Sequence, residues 1–357
     1  MQVESILALY QLDSAVTLAR PYGDGHINDT YRVETESGRR YILQRLSPAA
    51  FSEPEKVMQN VSRVTAFLRE AIRRRGGDPE RETLRIIPMA DGKEYLMADD
   101  GCWRMYGFIG DTKTYQQAEN EAVFREAGRA FGRFMRDLAD YPADTLHETI
   151  PRFHDTENRL AAFKAAVEEN RAGRAGQVQA EIAFVLERGC RAGELLKASL
   201  PLRVTHNDTK LNNVLMNAAD SKALCVVDLD TVMPGLCAYD FGDAIRFGAN
   251  TAAEDEQDLT KVNFSLPMFK AYAEGYLGEA GSMLTAAEIA SLPLGAWMMT
   301  YECGMRFLTD FLNGDTYFHI AYRQHNLVRA RNQFTLLADM ERQADGMHGI
   351  VREYIKE

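Results

Sequence analysis

Two kinds of hydrophobic spacing divide the chain. Through about the first hundred residues, short runs that alternate apolar and polar positions, or crowd β-branched and aromatic residues between turn signals, predict strands over 16–22, 30–34, 40–46, 84–88, 94–97 and 103–108. One segment breaks that period. Val57, Val61, Val64, Phe67, Leu68 and Ile72 recur at helical spacing behind Pro54, which suits a first helical turn, and Gly76-Gly77-Asp78-Pro79 stops the run. From Tyr115 onward the helical period dominates and predicts helices over 118–138, 156–170, 177–196, 256–277, 286–312 and 317–344. The two regimes imply an α+β, bilobal molecule. A small β-rich N-lobe (1–108) meets a larger, mainly helical C-lobe (109–357) at a hinge near 106–110.

Inside the helical part lies His206-Asn207-Asp208-Thr209-Lys210-Leu211-Asn212-Asn213, followed by the apolar run Leu224-Cys225-Val226-Val227 that closes on Asp228. The spacing H-x-D-x-K-x-x-N is that of a protein-kinase catalytic loop, and it carries the chemistry of phosphoryl transfer from a magnesium–nucleotide complex. Asp208 can take the proton of an attacking hydroxyl, and Lys210 can neutralise charge on the moving phosphoryl group. Asn213 and Asp228 can hold Mg²⁺, a hard cation that takes oxygen ligands. A polar loop between buried strands also uses Asp and Asn as turn residues. It has no need, however, for a base and metal ligands together. A literal Asp240-Phe241-Gly242 is present too, but Asp228 ends an apolar strand 20 positions past Asp208, whereas Asp240 stands 32 positions past it and beyond a Pro234-Gly235 turn. Asp240 is therefore expected to brace the loop or cap the next helix. Asp230, two residues past Asp228 in what reads as an extended segment, should point the same way as Asp228, toward metal, substrate or Lys210.

Composition narrows the class. The chain has 357 residues, 46% hydrophobic and 26% charged, and a net charge of −11, which argues against nucleic-acid and anionic-membrane partners. No apolar run reaches the length of a membrane helix, and the N-terminus shows no secretory signal. Five scattered cysteines without metal-site spacing fit reduced thiols in a cytoplasm.

On the nucleotide side, Gly23, Gly25, His26 and Asn28 lie in a turn between the first two strands, where glycines bring backbone N–H groups close to phosphates. Tyr106, Phe108 and Ile109, at the lobe junction, offer an adenine edge one backbone donor and one acceptor between apolar side chains. The third strand should place a cation toward the phosphates. On the alternation of Ile42 and Gln44 that slot holds Gln44, while Arg45 faces away. The facing helix has Asn60 where a glutamate would pair that cation, so the usual Lys–Glu ion pair is absent. More of the task of holding the α- and β-phosphates then falls to Mg²⁺ and the N-terminal loop.

These residues resemble the aminoglycoside phosphotransferase and choline kinase superfamily, which has a protein-kinase-like fold. Within it, the chain is most similar to the bacterial N-acetylhexosamine 1-kinases. Residues 21–28, 41–44, 204–213, 227–231 and 302–308 carry the likeness across both lobes. The resemblance implies that ATP phosphorylates the anomeric hydroxyl of N-acetylglucosamine or N-acetylgalactosamine. Asp208 would be the base, Lys210 would face phosphate, and Asn213 and Asp228 would bind Mg²⁺. Candidate sugar contacts are Asp208, Asp230, Arg306 and Tyr317. Glu302, Arg306 and Asp310 recur four apart beside an apolar face made by Met298, Met299, Cys303 and Phe307, so a half-buried helix presents them together. Two alternatives remain. One is a kinase of the same fold acting on an amino alcohol or an aminoglycoside, and the other is a nucleotide-binding module without chemistry.

Overall fold

The computed structural model describes residues 2–23, 28–48 and 50–355. Helix α1 (Val3–Leu7) precedes strands β1 (Val16–Pro21), β2 (Asp29–Thr35) and β3 (Arg40–Leu46), then helix α2 (Pro54–Arg74), then β4 (Tyr95–Ala98) and β5 (Gly101–Gly107). The five strands form an antiparallel sheet in the order β1-β2-β3-β5-β4. Alternation gives this sheet two unlike faces. Val33, Tyr41, Leu43, Trp103 and Met105 pack with Ile6 and Leu7 of α1 in a small core of their own. Leu46, Cys102 and Tyr106 face α2 and join the largest core, which runs on into the helical lobe. Gln44 and Arg104 lie on that second face as direct cross-strand partners.

The chain leaves the sheet through β6 (Thr112–Lys113) and enters the helical lobe with α3 (Glu121–Asp137), α4 (Thr156–Glu169), α5 (Gln179–Arg188) and α6 (Glu194–Lys197). Four short strands follow, β7 (Arg203–Thr205), β8 (Val214–Asn217), β9 (Ala223–Val226) and β10 (Met233–Gly235). They pair as β7 with β10 and as β6-β8-β9, and so hold both ends of the 206–232 segment. The rest is helical: α7 (Cys237–Gly248), α8 (Leu266–Ala280), α9 (Ala286–Asn313), α10 (His325–Arg342) and α11 (Ala344–Arg352). Helix α7 meets α9 backbone to backbone. A Cβ at Gly242 would stand 2.2 Å from the Gly295 carbonyl oxygen, and one at Gly295 would stand 2.2 Å from that of Ala238. Only glycine permits such a crossing. Among the described residues no helix is long and apolar enough to cross a membrane, and all five cysteines are free thiols.

Four expected elements change. The run 84–88 supplies only an isolated bridge, Ile86 to Tyr106, because Pro88 has no N–H to continue a ladder. The segment 177–196 is split near Gly189 and Gly193 into α5 and α6. Helix α8 begins at Leu266, behind a Ser265 cap and Pro267, not at 256. The span 317–344 starts as a turn because Asp310 collects the N–H groups of Thr316, Tyr317 and Phe318, and α10 begins at His325. Helix α7 was not among the expected helices; its polar positions Asp240, Asp243 and Arg246 recur three apart but are buried with the rest.

Candidate active site

The turn that carries Asp208 is fixed from behind. Asn207 adopts a left-handed conformation (φ 64°), and its N–H donates to Asp240 Oδ1 at 2.7 Å while the His206 N–H donates to Asp240 Oδ2 at 2.8 Å. Asp243 accepts the Thr209 N–H at 3.1 Å. Both carboxylates project from α7, so the expected bracing role of Asp240 is what the geometry displays. Burial pushes the Asp240 carboxyl up to about 6, against the lowering effect of His206 and of the two backbone donors. His206 is itself clamped. Its Nε2 lies 2.9 Å from the Val227 carbonyl, its Nδ1 accepts the Asp208 N–H at 3.3 Å, and Phe131 and Phe134 meet the ring edge-on. With these partners Nε2 serves as the donor and Nδ1 as the acceptor.

Asp208 thus faces the cleft with its carboxylate 26% exposed. Lys210 Nζ is 2.7 Å from Oδ1, and Asn213 Nδ2 donates to Oδ2 at 3.1 Å and to the main-chain oxygen at 2.9 Å. Burial raises the Asp208 carboxyl, but Lys210 outweighs it and the net shift is downward. The same pair raises Lys210.

Asp228 follows β9 in a left-handed conformation (φ 62°), and residues 229–231 form a single 3₁₀ turn. The extended segment expected through Asp230 is therefore replaced by a turn, yet Asp228, Asp230 and Asp208 still interact. Asp228 opens to solvent in the cleft while protein surrounds it on most sides. Desolvation, then Asp230 and Asp208, push its carboxyl up to about 6. Three mutually repelling carboxylates, one of them without an ion pair among the described residues, suit a divalent cation. With Asn213 Nδ2 turned onto Asp208, the Asn213 amide oxygen and the Asp228 carboxylate are the ligand atoms that would hold it. No cluster of three His, Cys, Asp or Glu side chains with metal-site geometry occurs among the described residues.

Asp230 does not reach Lys210. Its carboxylate is 3% exposed and is gripped from the sheet, by Arg104 Nη1 at 2.5 Å from Oδ1 and by Asn28 Nδ2 at 2.7 Å from Oδ2. Asn28 also accepts the Ser47 N–H at 3.1 Å. Gln44 occupies the expected slot, but its amide oxygen accepts from Arg104 Nε and Nη2 at 3.2 and 3.0 Å. A cation is therefore present beside Gln44, supplied by β5 instead of β3 and paired with Asp230. Arg45 faces away to Asp29 and Trp103, as expected. Asn60 makes no ion pair and binds the carbonyls of His147 and Val232. The missed Arg104 had one signal, a charged residue inside the buried run Cys102-Trp103-Arg104-Met105-Tyr106.

Gly23 turns with φ +83°. Gly25 and His26 lie outside the described residues. Phe108 packs on Tyr22 at 5.9 Å and under Arg40 at 4.5 Å, Ile109 is buried, and the Tyr106 ring lies beneath Arg104 at 5.1 Å.

The residues expected to touch sugar fall into two groups. Asp208 and Asp230 belong to the cluster above. Arg306 and Tyr317 form a second one, with the guanidinium 5.5 Å from the Phe153 ring, 5.9 Å from Tyr317 and 5.5 Å from Phe318. Tyr317 is 70% exposed. The 149–155 segment spans the interval between them, with Thr149 donating to the Asp230 carbonyl at 3.4 Å and Phe153 against Arg306. The Glu302–Arg306–Asp310 ladder does not form. Glu302 turns to His154 at 3.0 Å and Thr156 at 2.6 Å, and Asp310 fixes the Tyr317 turn. Nearby, a cavity of about 560 Å³ is lined by Tyr115, Arg246, Phe247, Asn250, Glu254 and Gln333.

The sequence profile of the phosphotransferase enzyme family matches residues 19–276. Three solved structures share the fold at low identity. An amicoumacin kinase in complex with AMP-PNP, Ca²⁺ and its antibiotic superposes with a TM-score of 0.63 at 14% identity, over 94% of this chain and 93% of its own. Spectinomycin phosphotransferase with ADP and spectinomycin gives 0.59 at 14%, over 97% and 99%. Choline kinase from Cryptosporidium parvum gives 0.59 at 11%, over 98% of each chain.

Proposed function

The chain belongs to the phosphotransferase enzyme family, and from that premise we propose that it is an ATP- and Mg²⁺-dependent kinase. Its proposed substrate is an N-acetylhexosamine, which it phosphorylates on the anomeric hydroxyl to give the sugar 1-phosphate. Asp208 accepts the hydroxyl proton as the sugar oxygen bonds to the γ-phosphorus and the bond to the bridging oxygen breaks, releasing ADP. Lys210 holds Asp208 ionised and carries positive charge beside the moving group. Asn213 and Asp228 would hold Mg²⁺, which screens the phosphate oxygens. The turn at Gly23, with Gly25, His26, Asn28 and Gln44, contributes to the phosphate side, and Tyr106, Phe108 and Ile109 to the adenine side.

The observation that carries the substrate reading is the Arg306 cluster. The related structures include a choline kinase, an amicoumacin kinase and a spectinomycin phosphotransferase. A cationic acceptor needs a carboxylate or a bare aromatic box. Here the rings already surround a guanidinium, Arg159 adds a second positive charge in its field, and Glu302 is turned to His154 and Thr156. Arginine donors and aromatic faces suit an uncharged ring with hydroxyls and an acetamido oxygen. The 560 Å³ cavity adds Gln333, whose Oε1 is buried and unpaired. A ring group missing from the substrate would leave such buried polar atoms without partners, a penalty that discriminates strongly. The free thiols fit a cytoplasmic setting.

The deciding experiment is a substrate panel followed by ADP release, with phosphorus–proton correlation NMR of the product. Coupling of phosphorus to the anomeric proton is expected. Coupling to the C6 methylene protons, or turnover of choline, homoserine or an aminoglycoside in place of every hexosamine, overturns the sugar 1-kinase reading and leaves the family assignment intact.

A further inference from the structure

Arg104 is 1% exposed in the middle of a sheet. Burying a guanidinium is costly, and an apolar residue of similar volume often serves a fold as well or better. Beyond a weak contact of Nη1 with Met58 Sδ on α2 at 3.7 Å and its stacking on Tyr106, the hydrogen bonds and ion pair of Arg104 go to Gln44 and Asp230. Its Nε and Nη2 converge on Gln44, Gln44 Nε2 is fixed in turn by Thr30 Oγ1 at 3.1 Å, and Nη1 crosses to Asp230 of the helical lobe at 2.5 Å. Asn28, anchored by the Ser47 N–H, grips the other oxygen of the same carboxylate at 2.7 Å. Asp230 belongs to the 3₁₀ turn that begins immediately after Asp228. One carboxylate of the large lobe is thus held on both oxygens by side chains of the small lobe, two residues from the candidate metal ligand.

We propose that Arg104 is a positioning residue: through its buried contact with Asp230, backed by Gln44, it ties the sheet to the turn carrying Asp228 and so sets that turn for a metal–nucleotide complex. It takes over, from the neighbouring strand and by an indirect route, the task that a cation on β3 would perform by touching phosphate. The inference rests on reading the cleft as a Mg–nucleotide site and is independent of the acceptor. Nothing in it requires Arg104 to leave Asp230.

The test is calorimetric binding of ADP in the presence of Mg²⁺, with no acceptor and no turnover. It uses the full chain and the variants Arg104→Gln, Arg104→Lys, Asp230→Asn and the Arg104→Gln/Asp230→Asn double. Removing a residue that orients a metal ligand typically weakens binding about 10–100-fold. Both Arg104→Gln and Asp230→Asn should fall in that range, and the double should be no weaker than the weaker single, because both act through one contact. Arg104→Lys should recover a large part of the affinity, since an ammonium can still pair with Asp230. Hydrogen exchange of the 228–233 backbone should accelerate in parallel. If Arg104→Gln loses affinity while Asp230→Asn keeps it, Arg104 touches the nucleotide directly and the proposal fails. Unchanged affinity in folded variants, or additive losses in the double, also overturns it. Should Arg104→Gln not fold, Arg104→Lys and Asp230→Asn decide: wild-type affinity in Asp230→Asn removes the contact from the site. A wild-type protein that binds no Mg–ADP overturns the kinase reading itself and this inference with it.

Discussion

The two ends of the cleft are built by different means. At the Asp208 end, polar groups are locked to one another. Asp240 and Asp243 hold the loop backbone, Lys210 and Asn213 hold Asp208, and Arg104 and Asn28 hold Asp230. At the Arg306 end, a guanidinium lies among three aromatic rings with no ion pair among the described residues, beside a tyrosine that is mostly exposed. A preorganised network suits charge that develops in a transition state. Rings and unpaired donors suit recognition of a ground-state ligand. On the proposed reading chemistry belongs to the first end and selection to the second, and substitutions should separate the two.

The largest effect is expected at Asp208. Asp208→Asn removes the proton acceptor and leaves the loop scaffold, so kcat should fall by about 10²–10⁴ with nucleotide affinity nearly kept. Steady-state kinetics beside ADP calorimetry check it, and a variant retaining more than about a third of wild-type kcat removes Asp208 from the base role. Asp228→Asn comes next. It should raise the Mg²⁺ concentration for half-maximal rate by at least about tenfold. Arg306→Met should lower kcat/KM for the sugar by about 10–100-fold, the worth of a charged hydrogen bond, while KM for ATP stays unchanged. Equal losses for both substrates would erase the division drawn above.

Asp240→Asn should act on stability instead of on metal demand, at about 1–3 kcal/mol for a buried loop donor left unpaired. Its pH dependence has a definite sign. The folded carboxyl is raised to about 6, so the folded state binds more protons than the unfolded chain between its ordinary value near 3.8 and about 6. Wild-type stability therefore falls as pH rises through that window, and the gap between wild type and Asp240→Asn should narrow from pH 5 to pH 7.5. Thermal melts of both proteins at the two pH values measure it, and a widening gap contradicts the burial argument. Tyr317→Phe is the smallest change: on an exposed ring, losing one neutral hydroxyl contact should cost a few-fold in kcat/KM for the sugar, about 0.5–1.5 kcal/mol.

The loop from His206 to Asn213 was legible in the sequence because its information is local. Eight residues fix a turn, and the next apolar strand fixes Asp228. The long amphipathic helices and the paired strands β1, β2, β3 and β5 were legible for the same reason. Arg104 was not. Its meaning depends on β5 lying beside β3 in the register that sets Arg104 opposite Gln44, which no spacing within either strand reveals. Asp230 was misjudged because a left-handed Asp228 turns the chain where alternation assumes it runs straight. The acidic ladder on α9 was misjudged because its members found partners on other segments, His154, Thr156 and the Tyr317 turn. Helix α7 is short and follows the Pro234-Gly235 turn, and its Asp240, Asp243 and Arg246 face inward, so its polar spacing does not mark a solvent face.

The glycine-to-glycine crossing of α7 and α9 bears on how the two ends work together. Asp240 and Asp243, which hold the loop of Asp208, stand on one of these helices, and Arg306 stands on the other. With Gly242 and Gly295 in backbone contact, neither helix can slide or roll without a clash. The separation of Asp208 from Arg306 is therefore set when the chain folds. On the proposed reading, the large lobe alone fixes where an acceptor would lie relative to the base, before any ligand arrives.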